Sequence, residues 1–450
     1  MVERMKMTWK IAPVCACWLA LVVSGARAAD LDGRYVWPLE NHTTLSSGFC
    51  DYRTNHYHGG IDLSTDGREG IPVRAADSGW VMRVSTSYWG YGKAVYLHLA
   101  DGRMAVYGHL SEFSDAIQAY VEQQQYASKR YQQNLWPTAG ELPVRRGEII
   151  GKTGQTGAGP PHLHFEIRTG DNRPLNPLVY AFHKADTHAP LVTEITLVPS
   201  QPSAAGAPLS TVDGGLLPQT FAVKQTKNGW GLGETPTMTG SVGVRVHTRD
   251  VLDLPRYIMS TYRCRVFAND HLVAEVRHDS INYDDSRLIN LERAFDGEPG
   301  YAERPIQMYR LPGNRLWNYT ALDNDGWLRL GETVIAGKND IRIEAEDPAG
   351  NVTTVAFALV VNEDYNRSDM QTGDSPPDIP FVPRDMDWSS GGLVLEFNPS
   401  NQTPVVRTTP TEPAPVTAIR TLDGGWQMWL PPQLVGSIVV FAVNEKTLVS

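Results

Sequence analysis

Ala94-Val95-Tyr96-Leu97-His98-Leu99-Ala100-Asp101-Gly102-Arg103-Met104-Ala105-Val106-Tyr107-Gly108-His109 is the stretch that decides the fold. Two runs of β-forming residues flank an Asp-Gly step, and that pattern predicts an antiparallel hairpin. Outward from it, Ile71–Ala75 and Gly79–Val84 read as further short strands broken by glycine and proline. The 450 residues hold 40 Gly and 31 Pro, and long helical periodicity is scarce. One helix is expected after Ser114 as N-cap, with Asp115 at the positive helix end and Phe113, Ile117, Tyr120 and Val121 on one face. The segment from this helix to Gly140 reads as an insertion, a covering element rather than a groove wall.

Chain length exceeds what one core usually serves, so two or three domains are expected. The fold class is mainly β: an antiparallel β catalytic domain with one inserted helix, followed by β-sandwich-like C-terminal modules. Residues 1–28 read as a signal peptide: Arg4, Lys6 and Lys10, an apolar run from Ile11 to about Val23, then Ala26-Arg27-Ala28. That run is shorter than the ~20 residues a membrane span needs. No later stretch is long enough, so no transmembrane segment remains after cleavage near Ala29 or Asp30. The boundaries expected are 30–188 for the catalytic domain, 189–362 for a β-sandwich domain, 363–383 for an acidic, proline-bearing linker and 384–450 for a small β module. Residues 198 to 240, rich in Pro, Gly, Ser, Thr and Ala, are expected to be long loops around few strands. The run Asp340–Ala345 alternates apolar and polar residues as at the edge of an antiparallel sandwich, and a turn at Asp347-Pro348-Ala349-Gly350-Asn351 follows.

Without the leader the chain has 36 basic and 49 acidic residues, a net charge of −13. An acidic chain with no basic run argues against nucleic acid and against anionic lipid as partners. Only Cys50 and Cys264 remain, in different expected domains, and two free, partly buried thiols are the expectation over a disulfide.

Chemistry concentrates in three motifs: His58-Gly59-Gly60-Ile61-Asp62, Tyr107-Gly108-His109-Leu110 and His162-Leu163-His164-Phe165-Glu166. Two neutral imidazoles and a carboxylate make a common catalytic Zn²⁺ site, with a fourth position left open. The two glycines between His58 and Asp62 let the backbone bend until both reach one ion. His162 and His164, two strand residues apart, share a face about 6.8 Å apart. That spacing suits one imidazole on the metal and the other over the attacking water. His56 fits no motif and is a candidate groove residue. His98 is expected as a hydrogen-bonded core residue, and Glu166 as a support behind the ligands.

These motifs, together with Gly151-x-Thr-Gly154-x-Thr156-Gly157, closely resemble the M23 peptidases, the lysostaphin/LytM-like zinc endopeptidases of bacterial cell walls. The resemblance covers roughly residues 45 to 180. It implies that His58, Asp62 and His164 hold one Zn²⁺, and that His162 and His109 are non-ligand catalytic histidines. It implies hydrolysis of peptide bonds in peptidoglycan stem peptides or cross-links, in the periplasm, cell envelope or outside the cell. Where many members carry Gly-Phe-Gly before the first ligand, this chain has Gly48-Phe49-Cys50, a side chain expected at the groove rim. A non-catalytic wall scaffold or amidase activator on the same fold is the alternative, and an enzyme acting on protein a third. In the later modules Trp230, Trp317, Trp327 and Trp388 are candidates for stacking on sugar, with a core role as the competing reading.

Overall fold

A computed structural model describes residues 34–200, 210–252, 254, 256–294 and 304–363 in full, and strand backbones only between 385 and 449. The decisive hairpin forms as its pattern requires. Ala94–Leu99 pairs antiparallel with Met104–Gly108 in the register Val95↔Tyr107 and Leu97↔Ala105. Gly102 closes the turn at φ +85°, a conformation that costs a glycine nothing.

This hairpin lies in a sheet ordered Leu45–Ser47, Ile61–Ser64, His162–Arg168, Met104–Gly108, Ala94–Leu99, Gly79–Thr86, Gln133–Leu135, with all neighbours antiparallel. A three-stranded sheet of Pro72–Arg74, Ile149–Thr153 and Leu110–Phe113 stands beside it. Leu63, Leu97, Leu110, Leu163, Phe165 and Ile167 fill the core between them. The helix runs Asp115–Ser128 and buries Ile117 and Val121. Ser114 holds the N-cap position but makes no side-chain cap bond; Asp115 and Ala116 are exposed there, where water reaches the free amides.

The next sheet contains Ser241–Arg249, Leu191–Pro199, Gln219–Thr226, Gly229–Leu232, Val352–Val361, Gly337–Glu346, Arg263–Ala268 and His271–Arg277, in that order. Two expectations are corrected here. The described residues from 210 to 240 are not mainly loop: Thr211–Val212, Gln219–Thr226, Gly229–Leu232 and Thr237–Thr239 are strands, built on β-formers such as Val212, Phe221, Val223 and Trp230. The strand Gly337–Glu346 is not an edge, since Val352–Val361 and Arg263–Ala268 pair with it on either side. Its alternation marks one solvated face instead.

Packing crosses the sequence division near residue 188. Phe49, Cys50, Tyr52 and Tyr57 are buried in the core of the later sheet, alongside Val276, Ile281 and Ile289. Leu252 and Met259 are buried in that of the earlier one. The Tyr57 hydroxyl donates to Glu292 at 2.6 Å, and the Ser260 amide to Asp51 at 2.7 Å. The region that supplies His58 is therefore built partly from residues 200 positions downstream.

Past residue 384 the backbone forms a four-stranded sheet of Asp385–Ser389, Gly392–Phe397, Trp426–Leu430 and Thr417–Arg420. A three-stranded one contains Val406–Arg407, Val440–Val443 and Lys446–Val449. The leader, residues 364–383 of the linker and the side chain of Trp388 lie outside the described residues. Among the described residues no helix is long and apolar enough to cross a membrane.

Candidate metal centre

The strand His162–Arg168 pairs with Ile61–Ser64 on one side and Met104–Gly108 on the other, which sets His164 directly opposite both Asp62 and Gly108. Directly opposed residues of an antiparallel pair point to one face. Asp62 and His164 thus meet by register alone. Gly60 permits the close strand approach: a Cβ there would lie 2.2 Å from the Phe165 carbonyl oxygen. His58 enters from the preceding turn.

Three ligand atoms converge. His58 Nε2 lies 3.1 Å from Asp62 Oδ1 and 3.0 Å from His164 Nδ1, and His164 Nδ1 lies 2.9 Å from Asp62 Oδ1. Their hydrogen bonds fix what these atoms present. His58 Nδ1 donates to the Gly48 carbonyl at 2.7 Å, and His164 Nε2 donates to Glu166 Oε1 at 2.8 Å. The two facing nitrogens and the carboxylate oxygen are left with lone pairs aimed at one point. Only positive charge holds three lone pairs so close. Zinc–nitrogen bonds of 2.0–2.1 Å in a tetrahedron place neighbouring ligands about 3.3 Å apart, close to this triangle. The residues fit the ion, and the three side chains are buried.

Electrostatics point the same way. Burial would raise Asp62, but His58 and His164 hold it well below the usual carboxylate range. Burial would lower His164, yet its bonds to Asp62 and Glu166 outweigh that and raise it to about 9. Without a metal, a proton supplies the cation that the site demands.

Behind the ligands stands a support. Fully buried Glu166 accepts from His164, from Arg168 Nε at 2.6 Å and from the Tyr91 hydroxyl at 2.5 Å. Tyr283, 117 residues downstream, donates to its other oxygen at 3.4 Å. Arg53 reaches Asp62 Oδ2 at 3.6 Å. Glu166→Gln is expected to weaken zinc binding by about 10–100-fold, because a carboxylate behind a ligating histidine raises its basicity and fixes its tautomer. Competition against a chromogenic chelator reads this directly, and an unchanged affinity would remove Glu166 from that role.

His109 and His162 flank the ligands. His109 Nδ1 donates to the Thr156 carbonyl at 2.9 Å and His162 Nδ1 to the Pro160 carbonyl at 2.7 Å, so each holds its Nε2 bare. Their rings lie 4.6 Å apart, and His162 Nε2 is 3.7 Å from Asp62. His109 has φ +62°, a strained value for histidine that the surrounding strands impose. Burial, then His164 and His162, push its pKa down to about 4, so it is neutral at neutral pH and able to accept a proton.

Other expectations resolve as follows. Cys50 does not line a groove rim: it is fully buried in the core of the later sheet, at φ +62°. A positive φ explains why glycine suits that position. Cys50 and Cys264 are both free and buried. His98 is not hydrogen-bonded through Nδ1; it stacks on Trp80 with centroids 3.9 Å apart. His56 is exposed, its Nδ1 bonded to its own turn at Thr54. Trp317 donates to the Ser280 carbonyl and packs on Tyr57, and Trp327 packs on Tyr309, so both serve the interior. Trp230 is half exposed. Sequence reading missed Arg168, although it continues the alternating face His162, His164, Glu166. It also missed Tyr91, and the exposed Tyr88 and Trp89 just before it.

A family model described as Peptidase family M23 matches residues 56–134, the part that holds His58, Asp62 and His109. The chain is 35% identical over 147 residues to the DD-carboxypeptidase/endopeptidase Mpg of Neisseria meningitidis serogroup B (strain MC58), and 36% identical to that of Neisseria gonorrhoeae. Each match covers 31% of this chain and 27% of the relative, so the chain spans about a quarter of the curated relatives' length. A zinc-containing peptidase from Vibrio cholerae is 24% identical at TM-score 0.24, covering 34% of this chain and 40% of that one. The catalytic domain of lysostaphin from Staphylococcus simulans is 24% identical at TM-score 0.23, covering 31% and 90%. The family match and the Neisseria relatives mark a stretch of this chain, residues 56–134 in the family match, as similar to M23 peptidases. Through that stretch the chain is similar to peptidase family M23.

Proposed function

We propose that the protein is an exported zinc metalloendopeptidase that hydrolyses peptide bonds in peptidoglycan stem peptides or cross-links. The observation that carries this reading is the convergence of three lone pairs from His58, Asp62 and His164 beside the two bare Nε2 atoms of His109 and His162. The Neisseria relatives, named as DD-carboxypeptidase/endopeptidases, support a D,D-peptide bond as the target. The leader-like N-terminus supports export.

In this reading His58, Asp62 and His164 hold the ion. Bound there, zinc supplies Lewis acidity toward the scissile carbonyl and the attacking water. His109 or His162 accepts the water proton at Nε2 as oxygen adds to the carbonyl carbon. The pair stabilises the resulting oxyanion, and the proton passes to the amine as the C–N bond breaks. The carbonyls of Thr156 and Pro160 hold both rings in the tautomer that can do this. Exposed Tyr88 and Trp89, near Tyr91 at the site, are apolar faces for the substrate chain.

The test is a digest of purified peptidoglycan by the full mature chain, with and without chelator, followed by mass spectrometry of the soluble fragments. Expected is chelator-sensitive release of cleaved peptides, restored by Zn²⁺. Intact wall in the presence of demonstrably zinc-loaded protein would overturn the reading.

A further inference from the structure

A second convergence of ligand atoms lies away from the histidines, where the peptidase sheet hands over to the later one. Asp186 is in the connector that leads to the strand Leu191–Pro199. Asp250 follows the strand Ser241–Arg249, and Asp347 opens the turn between Gly337–Glu346 and Val352–Val361. One carboxylate oxygen from each lies within 4.8 Å of the others. Asp250 is 3% exposed and Asp347 0% exposed. The Asp186 side chain is fully buried, and its Oδ2 has no hydrogen-bond partner.

Small donors satisfy part of this cluster. Asp347 Oδ1 accepts from the Gly350 and Asn351 amides, Asp250 Oδ1 from the Val251 amide, and Asp186 Oδ1 from the His188 amide. Asn351 Nδ2 bridges Asp347 Oδ2 and the Asp186 carbonyl. Exposed His188 places its Nδ1 3.4 Å from Asp186 Oδ1, leaving Oδ2 without a hydrogen-bond partner. An orphaned buried oxygen beside two buried carboxylates calls for a cation.

We propose that Asp186, Asp250 and Asp347 form a Ca²⁺ site that fastens the connector of the peptidase domain to two loops of the following β domain. The ligand chemistry selects the ion. Calcium takes oxygen ligands at 2.3–2.6 Å in flexible geometry, so two ligands of one ion lie up to about 5 Å apart, as these do. Zinc favours nitrogen and sulfur, which this cluster lacks. An open cleft of 350 Å³, lined by His183, Asp186, His188, Leu252 and Ala349 among others, gives the ion and its remaining waters a way in. The site is independent of the peptidase reading, because it shares no residue with the histidine centre.

The experiment is calorimetric titration of Ca²⁺ into the full mature chain, freed of calcium on a chelating resin and reloaded with zinc. Expected is one Ca²⁺ per chain with a dissociation constant in the range of about 10⁻⁶–10⁻³ M, weakened at least about tenfold in Asp347→Asn and in Asp250→Asn. Trypsin supplies a readout on the unsubstituted chain. Cleavage after Lys184, two residues before Asp186, is expected to slow at least about tenfold in Ca²⁺ when the ion holds the connector closed. No saturable uptake by about 10 mM overturns the site, as does cleavage that calcium leaves unchanged. Equal binding of Mg²⁺ overturns the choice of ion. Uptake unaltered in folded Asn variants places the calcium elsewhere and overturns the residue assignment.

Discussion

His162→Ala is expected to retain one zinc per chain and to lose about 10²–10⁴-fold in peptidoglycan turnover, whereas His164→Ala loses both zinc and turnover. The two residues are two apart on one strand face, and their surroundings set the difference. His164 Nδ1 sits in the triangle, 2.9 Å from Asp62 Oδ1 and 3.0 Å from His58 Nε2. Its removal leaves two ligands and strips Glu166 of one of the groups that balance its charge. His162 Nε2 stands 3.7 Å from Asp62, outside the triangle but within reach of a water at the open position. His162→Ala therefore removes a proton carrier and spares the ligands. Zinc by mass spectrometry and released muropeptides, measured on the same preparations, separate the two variants. Equal zinc loss in both would sink the division of roles, and full turnover by His162→Ala would leave His109 as sole base.

Much of this centre is legible in the sequence, because strand periodicity is local. Residues 162, 164, 166 and 168 share a face by period alone, and the Asp-Gly turn at 101–102 fixes the hairpin that ends at His109. The two glycines before Ile61 read as freedom for the backbone to bend; at Gly60 the structure uses that missing side chain for a close approach to Phe165. What the sequence conceals is contact at long range. Nothing near Tyr283 signals that it will meet Glu166, and nothing near Cys50 shows that it leaves the peptidase core for the next one. The strands between 210 and 240 were hidden because three of them are only two to four residues long and pair out of sequence order, Thr211 with Thr239 and Trp230 with Val355. The edge assignment of Gly337–Glu346 failed for a related reason. Alternation reports which face is wet and carries no information on how many neighbours a strand has.

Glu292→Gln is expected to destabilise the chain by about 3–5 kcal/mol at neutral pH, the usual cost of leaving buried charges without their partner. Glu292 is fully buried and accepts from the Tyr57 hydroxyl at 2.6 Å, from Arg293 Nε at 2.9 Å, from His278 Nε2 at 3.0 Å and from Asn318. Arg293 is itself 1% exposed, so the amide leaves a guanidinium stranded in the core. Burial would raise Glu292, but His278 and Arg293 hold it down to about 2. Its folded pKa thus lies below the unfolded value of about 4.3, so its contribution is complete above that pH and is lost as pH falls toward 2. The melting temperature of Glu292→Gln should lie roughly 10 °C below that of the unsubstituted chain at pH 7, and the gap should narrow below pH 4. Calorimetry across that range decides it: melting points within about 1 °C at pH 7, or a gap that widens in acid, would show that the network carries no net stability. The loss would reach the metal centre, because Tyr57 precedes His58 and its hydroxyl is pinned by Glu292. Weaker zinc binding in a variant altered more than two hundred residues from His58 would follow from a peptidase site whose first ligand is anchored through the next domain.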